Sequence, residues 1–335
     1  MKKFAWFVTL ILALSVLLSA CGGAAPATQA PVAAKPFRVA VIMPSAKNDM
    51  AFSQSMYDGL TAIQKEMGAD KFEFVFSENM FVVDDAAAAI RDYATKGYDL
   101  VIAHGSQYGS SLQEIAPDFP KTSFAWGTTV DTFGQPNIFA YESAADEGGY
   151  VNGVLAATLT KSKIIGVVSP IETGDAKLYV EGFKQGVAAT DPSVTVNVNY
   201  IGSFSDTALA AEAATTHISN GADVLTGTAQ MVVGAIGKAK ESNVLWFASD
   251  ADQASLAPAI VVDSQVYHWE VVLREMISLI QKGTLGGKSF AINLKNGGEV
   301  MLYNPGYKLP ADAKALADKA VQGIIDGSIK ITIAE

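Results

Sequence analysis

Two successive series of short apolar strands, alternating with amphipathic helical patterns, restrict this chain to a small set of folds. The first series opens on Phe37–Met43, an apolar run typical of a buried strand, and residues 54–67 follow with apolar side chains at helical spacing. A second series begins after a helix predicted over Glu147–Leu159. Strands that alternate with helices form parallel sheets through right-handed crossovers. The sequence therefore predicts an α/β protein with two lobes, each a doubly wound parallel sheet flanked by helices.

The C-terminal part of the chain is predicted to cross between the lobes more than once. We assign residues 37–145 and 255–285 to the N-terminal lobe, and residues 146–254 and 286–335 to the C-terminal lobe. In sheets of this kind, ligands bind where polar loops leave the carboxyl ends of the strands. The cleft between the lobes is therefore the expected binding site.

The first 36 residues have the pattern of an export signal followed by a stalk. Two lysines precede an apolar run over residues 4–18, which is shorter than the about 20 residues that span a bilayer. Leu18-Ser19-Ala20-Cys21 then matches a lipobox, and Cys21 is the single cysteine. We expect residues 1–20 to be a signal peptide and residues 21–36, rich in Ala, Pro and Gly, to be a disordered stalk. Lipid on Cys21 would anchor the protein on the extracytoplasmic face of the cell membrane.

Composition and motifs argue against nucleic-acid binding and against catalysis. The formal net charge is −10 and no basic stripe is present, which disfavours nucleic acid as a partner. The three histidines are far apart in sequence, without the short spacing of a metal site, and no nucleophile elbow occurs. Residues 283–289 resemble a phosphate-binding loop but are one residue too short and follow a helix. We expect a monomeric binding protein, not an enzyme, without a metal or cofactor.

The loop after the first strand is the first candidate for ligand contact. It places Phe52 among Asn48, Asp49, Ser53 and Gln54, a set that suits a planar, polar ligand. The ring would stack on the ligand, and the amide and carboxylate would bind its edge. Alternatively, Asp49 or Ser53 caps the following helix and Phe52 packs as its hydrophobic staple. The loop alone does not separate these two interpretations.

Other predicted strands also end in polar loops. In the second lobe, Phe204 lies beside Asp206, which suits either ligand contact or a helix N-cap. Asp250 is the stronger ligand candidate, because a carboxylate at a strand end can accept hydrogen bonds from ligand hydroxyls or ring nitrogens. The remaining candidates offer close backbone approach or polar side chains, and they are Gly105, Ser106, Gln107, Tyr108, Thr228 and Gln230.

Four segments together resemble the basic membrane lipoprotein family, and the resemblance extends from about Phe37 over nearly all the remaining chain. Members are substrate-binding lipoproteins of ABC importers, with the periplasmic-binding-protein type I fold. Their characterised ligands are chiefly purine nucleosides, held between aromatic rings. The resemblance therefore implies a small purine ligand and an ABC permease as partners. The segments that carry it are residues 48–55, 147–153, 200–206 and 250–253.

The same resemblance assigns roles to individual residues. It implies that Phe52 and Phe204 stack on the ligand, with Asn48, Asp49 and Asp250 at its polar edge. The chain departs from the family where members commonly have Phe-Asn-Gln, since Ser53 follows Phe52 here.

A second departure bears on which ligand is bound. Tyr267 stands where members commonly place a lysine that faces the ligand. If that lysine serves the sugar, its loss favours a free purine base over a nucleoside, and both ligands stay open.

Three other functions are compatible with parts of the pattern. The same clamp would serve a ligand sensor that feeds a signalling partner, or a binder of another small polar ligand such as a sugar. An extracytoplasmic nucleoside hydrolase would use Asp49 and Asp250, but it needs a clustered acidic metal site that the sequence does not offer.

Overall fold

The computed structural model describes residues 35–333, and residues from Pro36 onward form one compact unit. The predicted signal peptide, Cys21 and the predicted stalk up to residue 34 lie outside the described residues. None of the helices within residues 35–333 combines the length and the apolar character needed to cross a bilayer.

The first lobe is built on a sheet of six parallel strands. Its two central strands, residues 100–104 and 123–127, are buried along their whole length, because helices cover both faces of a parallel sheet. The strands are β1 (Phe37–Ile42), β2 (Phe72–Ser77), β3 (Leu100–His104), β4 (Ser123–Gly127), β5 (Ile138–Ser143) and β11 (Lys288–Ile292). Their order across the sheet is β2-β1-β3-β4-β5-β11. The helices of this lobe are α1 (Phe52–Met67), α2 (Val83–Thr95), α3 (Gly109–Ile115) and α8 (Glu270–Gln281).

The second lobe repeats this arrangement. Its strands are β6 (Ile164–Ser169), β7 (Thr195–Tyr200), β8 (Val224–Gly227), β9 (Leu245–Ala248), β10 (Val261–Tyr267) and β12 (Glu299–Tyr303). The order is β7-β6-β8-β9-β10-β12, and β12 runs antiparallel to β10 at the edge. The helices are α4 (Ala145–Leu159), α5 (Gly174–Thr190), α6 (Thr207–Ser219), α7 (Val232–Ser242) and α9 (Ala311–Ile325). The predicted fold of two doubly wound lobes is confirmed, with one antiparallel edge strand added.

The chain crosses between the lobes at other positions than expected. It passes from β5 to α4, returns from β10 to α8, and passes again from β11 to β12. The range 255–285 was assigned to the first lobe, but β10 pairs with β9 of the second sheet. The range 286–335 was assigned to the second lobe, but β11 pairs with β5 of the first sheet. Both are short strands of mixed apolar and polar residues, so their sequences do not indicate which sheet they join.

Helices α4 and α5 pack with their backbones in direct contact, because glycines face each other across the interface. A methyl group built on Gly182 would lie 2.1 Å from the carbonyl oxygen of Asp146, and one on Gly186 would lie 2.1 Å from that of Tyr150. From the other helix, a methyl group on Gly153 would lie 2.2 Å from the Phe183 carbonyl oxygen. This close approach fixes α5, whose first turn reaches the pocket described below.

Replacing Gly182 with alanine should therefore destabilise the protein. The backbone of Asp146 cannot retreat as a flexible side chain can, so the overpacked interface should lower the free energy of unfolding by about 1–3 kcal/mol. Gly237 in α7 is the matched control, because no atom lies within 4 Å of a methyl group built there. Gly237→Ala should raise the same free energy by about 0.5–1 kcal/mol through helix propensity alone. Urea unfolding of both variants measures the difference, and a neutral Gly182→Ala would contradict this packing.

Candidate functional site

A pocket lies where the loops at the carboxyl ends of strands from both sheets meet. The space within it, including its opening to solvent, is about 530 Å³. The first lobe contributes Pro44, Phe52, Phe81, Gly105, Ser106, Gln107 and Thr128, and the second contributes Thr173, Gly174, Asp175, Ala176, Phe204, Thr228, Ala229, Gln230 and Asp250.

Phe52 forms one aromatic wall of this pocket and is fixed from behind. Its ring stacks on the His104 imidazole, with ring centroids 3.8 Å apart and planes inclined by 7°. The Trp269 and Phe52 rings pack in an edge-to-face arrangement, with their centroids 6.3 Å apart. The wall is therefore ordered without a ligand, which lowers the entropy cost of binding.

His104 holds this wall by hydrogen bonds at both ring nitrogens. Nδ1 bonds the Tyr141 hydroxyl at 2.8 Å, and Nε2 bonds the Phe52 carbonyl oxygen at 3.1 Å. Complete burial lowers the pKa of His104 to about 3, so the imidazole is neutral at physiological pH. This supporting role was not predictable from the sequence, because it depends on a contact between residues 52 positions apart.

A second aromatic wall comes from the other lobe. Phe204 follows β7 and is half-buried, and its carbonyl oxygen accepts a hydrogen bond from the Met231 N–H at 3.1 Å. Phe81, in the loop before α2, adds a third ring at the rim that sequence reasoning did not identify. Rings from two separate sheets thus line one pocket.

Asp250 provides a buried carboxylate on a backbone that departs from ordinary geometry. Its φ is +70°, and that of Ala229 is +74°, a region that residues other than glycine seldom adopt. The Ala229 N–H donates to Oδ2 of Asp250 at 3.0 Å, and the Thr228 hydroxyl lies 3.4 Å from Oδ1. Burial, with these bonds opposing it, raises the pKa of Asp250 to about 6. Thr228 and Asp250, both predicted from strand ends, line the pocket, and their contact with a ligand stays a prediction.

Asp175 is a second carboxylate in the pocket lining, and sequence reasoning missed it. Both of its oxygens are inaccessible to solvent and lack a hydrogen-bond partner among the described residues. Burial raises its pKa well above the usual value, and the charges of Glu142 and Asp250 add to the rise. The Thr128 hydroxyl and the Ser143 N–H act to lower this pKa, but neither makes a hydrogen bond of normal geometry to the carboxylate.

Four residues predicted in the first loop lie outside the pocket lining. Asn48 is exposed. The Asp49 carboxylate accepts hydrogen bonds from three backbone N–H groups at the start of α1, those of residues 51, 53 and 54, at 2.9–3.1 Å. The Ser53 hydroxyl accepts from the backbone of Ser45, and the Gln54 side chain accepts from Met50. The capping interpretation therefore describes Asp49, and Phe52 is the one residue of the five predicted in this loop that lines the pocket.

Three further predicted residues also serve the scaffold. Tyr108 is fully buried and its hydroxyl donates to the Met80 carbonyl oxygen at 2.8 Å. Asp206 is the N-cap of α6, accepting from the N–H groups of Ala208 and Leu209. Tyr267 is 3 % exposed and packs edge-on against Trp269, outside the lining. Of the predicted residues, Phe52, Gly105, Ser106, Gln107, Phe204, Thr228, Gln230 and Asp250 come together at the pocket.

Comparison with known proteins identifies the family of this chain. Residues 37–335 match the model of the Bmp family, described as ABC transporter substrate-binding protein PnrA-like. A transcriptional activator protein, med, of Bacillus subtilis is 24% identical over 87% of this chain and 87% of its own length. A purine-binding protein of Brucella abortus is 26% identical over 78% of this chain and 73% of its own length.

A similar fold is found among solved structures. An ABC transporter solute-binding protein of Aeropyrum pernix superposes with a TM-score of 0.76 at 19% identity, covering 90% of this chain and 94% of its own. Its low identity shows the shared two-lobed fold alone. The family match over residues 37–335 carries the assignment, and the chain belongs to the Bmp family of PnrA-like ABC transporter substrate-binding proteins.

Proposed function

We propose that this protein is an extracytoplasmic, lipid-anchored component of an ABC importer that binds a purine between its lobes. The observation that carries the proposal is the pair of aromatic walls, Phe52 from one sheet and Phe204 from the other, with buried carboxylates beside them. A flat heterocycle matches both features, because its faces stack on rings and its edge offers hydrogen-bond donors. The similarity to a purine-binding protein supports the same ligand class.

Binding would proceed by closure of the lobes around the ligand. The ligand stacks first on Phe52, which is already ordered by His104, and closure brings Phe204 to the opposite face. The three crossings between the lobes supply the hinge. The Gln253 side chain of the second lobe donates to the Met50 carbonyl oxygen of the first at 3.1 Å, a bond that closure would form. The closed form would then dock on a membrane permease.

The anchor rests on the lipobox at Cys21. Acyl chains on that cysteine would hold the binding lobes near the permease, and the Ala-, Pro- and Gly-rich residues 21–36 would give them reach.

A ligand sensor is a second candidate, because the chain is similar to a transcriptional activator protein of Bacillus subtilis. Permease and ATPase genes beside the gene for this protein would favour transport.

A thermal-shift screen tests the ligand class. Ligand-free protein is melted with purine bases, purine nucleosides, sugars and amino acids, each in excess over its dissociation constant. At about 100 times that constant, a ligand that binds only the folded state adds about 2.7 kcal/mol of stability. We expect stabilisation by at least one purine. Stabilisation by a sugar alone would contradict the proposal.

A further inference from the structure

Asp175 stands in an environment that an ionised carboxylate does not tolerate without a partner. It is the second residue of α5, and it lines the pocket with both oxygens shielded from solvent. The first turn of a helix favours an acidic side chain, but that interaction does not replace a hydrogen bond to each buried oxygen. None of the described residues supplies one.

The pocket lining to which Asp175 belongs carries no positive charge. The residues that line the pocket include no Lys, Arg or His, and the other ionisable group among them is Asp250. The lining thus leaves the acceptor oxygens of Asp175 unmatched.

The two acids that line the pocket differ in the hydrogen bonds that the protein donates to them. Asp250 already accepts the Ala229 N–H at 3.0 Å and has the Thr228 hydroxyl close by. Around Asp175, the Thr128 hydroxyl and the Ser143 N–H lie close by, but neither makes a hydrogen bond of normal geometry to it. A hydrogen-bond donor of the ligand placed against Asp175 therefore adds more binding free energy than one placed against Asp250. A ligand that lacks this donor loses more affinity at Asp175 than at Asp250.

We infer that Asp175 is a specificity-determining residue that accepts a hydrogen bond from an exocyclic amino group of the ligand. This inference rests on the proposed purine site and names its preferred ligands: amino-substituted purines without a phosphate. An amino group donates to the carboxylate and ends its isolation. A hydrogen atom in place of the amino group leaves the carboxylate buried and unpaired, which is how polar sites reject analogues. A phosphate would bring further negative charge beside Asp175 and Asp250.

Calorimetric titration of the protein, with both lobes present, tests this inference. The ligands are adenine, guanine, unsubstituted purine and AMP. We expect adenine or guanine to bind about tenfold or more tightly than purine, the range expected when one buried acceptor is left without its partner, and AMP to bind more weakly than adenine. Asp175→Asn keeps the shape of the side chain but replaces one acceptor oxygen with an NH₂ donor, so the preference for the amino group should fall below about threefold.

Glu172→Gln is the matched control, because it removes one exposed acid three residues away, outside the pocket lining. It should leave every affinity unchanged. An undiminished amino preference in folded Asp175→Asn would overturn the inference while the purine site stands. Equal binding of adenine and purine by the unmodified protein would overturn it without any variant. If neither these purine bases nor their nucleosides bind the unmodified protein, both the inference and the proposed function fail.

Discussion

Replacing Phe52 with alanine should weaken purine binding by about one to two orders of magnitude while leaving the protein folded. Stacking of a base on an aromatic ring contributes about 1–3 kcal/mol, and each 1.4 kcal/mol is about tenfold in affinity. The variant loses the wall and also uncovers His104, whose imidazole stacks on the Phe52 ring. The ring is half-buried at a pocket, and so its loss should cost less stability than that of a core phenylalanine.

Phe290→Ala provides the control for this variant. Phe290 is also half-buried, but it packs against Phe139 in the first sheet, outside the pocket lining. Its removal should lower the melting temperature without changing the dissociation constant. Calorimetry and thermal melting on both variants separate the two effects. Unchanged purine affinity in Phe52→Ala would contradict the proposal that Phe52 stacks on the ligand.

Replacing Asp250 with asparagine should weaken ligand binding but stabilise the ligand-free protein above pH 6. The folded protein raises the pKa of Asp250 from 3.8 to about 6, so folding favours the protonated carboxyl group. Stability from this group is therefore fully present below about pH 4 and is lost as pH rises through about 6. At pH 8 the ionised carboxylate costs the folded state about 2–3 kcal/mol. Asparagine removes the charge and keeps an acceptor for the Ala229 N–H.

The measurement is urea unfolding of ligand-free protein at pH 8 and pH 4. The free energy of unfolding of Asp250→Asn should exceed that of the unmodified protein by about 2–3 kcal/mol at pH 8, and the two should differ little at pH 4. Asp252→Asn is the control, since this neighbouring acid is exposed and a surface substitution changes stability by about 0.5 kcal/mol or less. A gain that is equal at both pH values would show that charge burial is not its cause. Such a balance between stability and binding is usual at functional sites.

The fold was largely predictable because burial leaves a periodic record in the sequence. Helix α4, predicted over Glu147–Leu159, spans Ala145–Leu159, so its C-terminal end was predicted to the residue. The sheet that β10 and β11 would join was not predictable, because each is a short strand of mixed apolar and polar residues with no feature that selects one sheet. The antiparallel direction of β12 depends on the chain crossing back from β11, which no local pattern indicates.

The site was predictable where strand ends alone decide, and not where tertiary contacts decide. The strand-end rule selected Phe204 and Asp250, and both line the pocket. It also selected Asp49 and Asp206, because a capping acid and a ligand-binding acid look alike in a sequence. Asp175 was missed, since an acid in the first turn of a helix is ordinary and only the fold reveals that its oxygens are buried and unpartnered.

A crystal structure of the protein grown with adenine or guanosine tests the central claim most directly. The account predicts the purine ring between Phe52 and Phe204, with its edge toward Asp250 and Asp175. A purine bound elsewhere on the protein, or a pocket that stays empty at saturating purine, would contradict it.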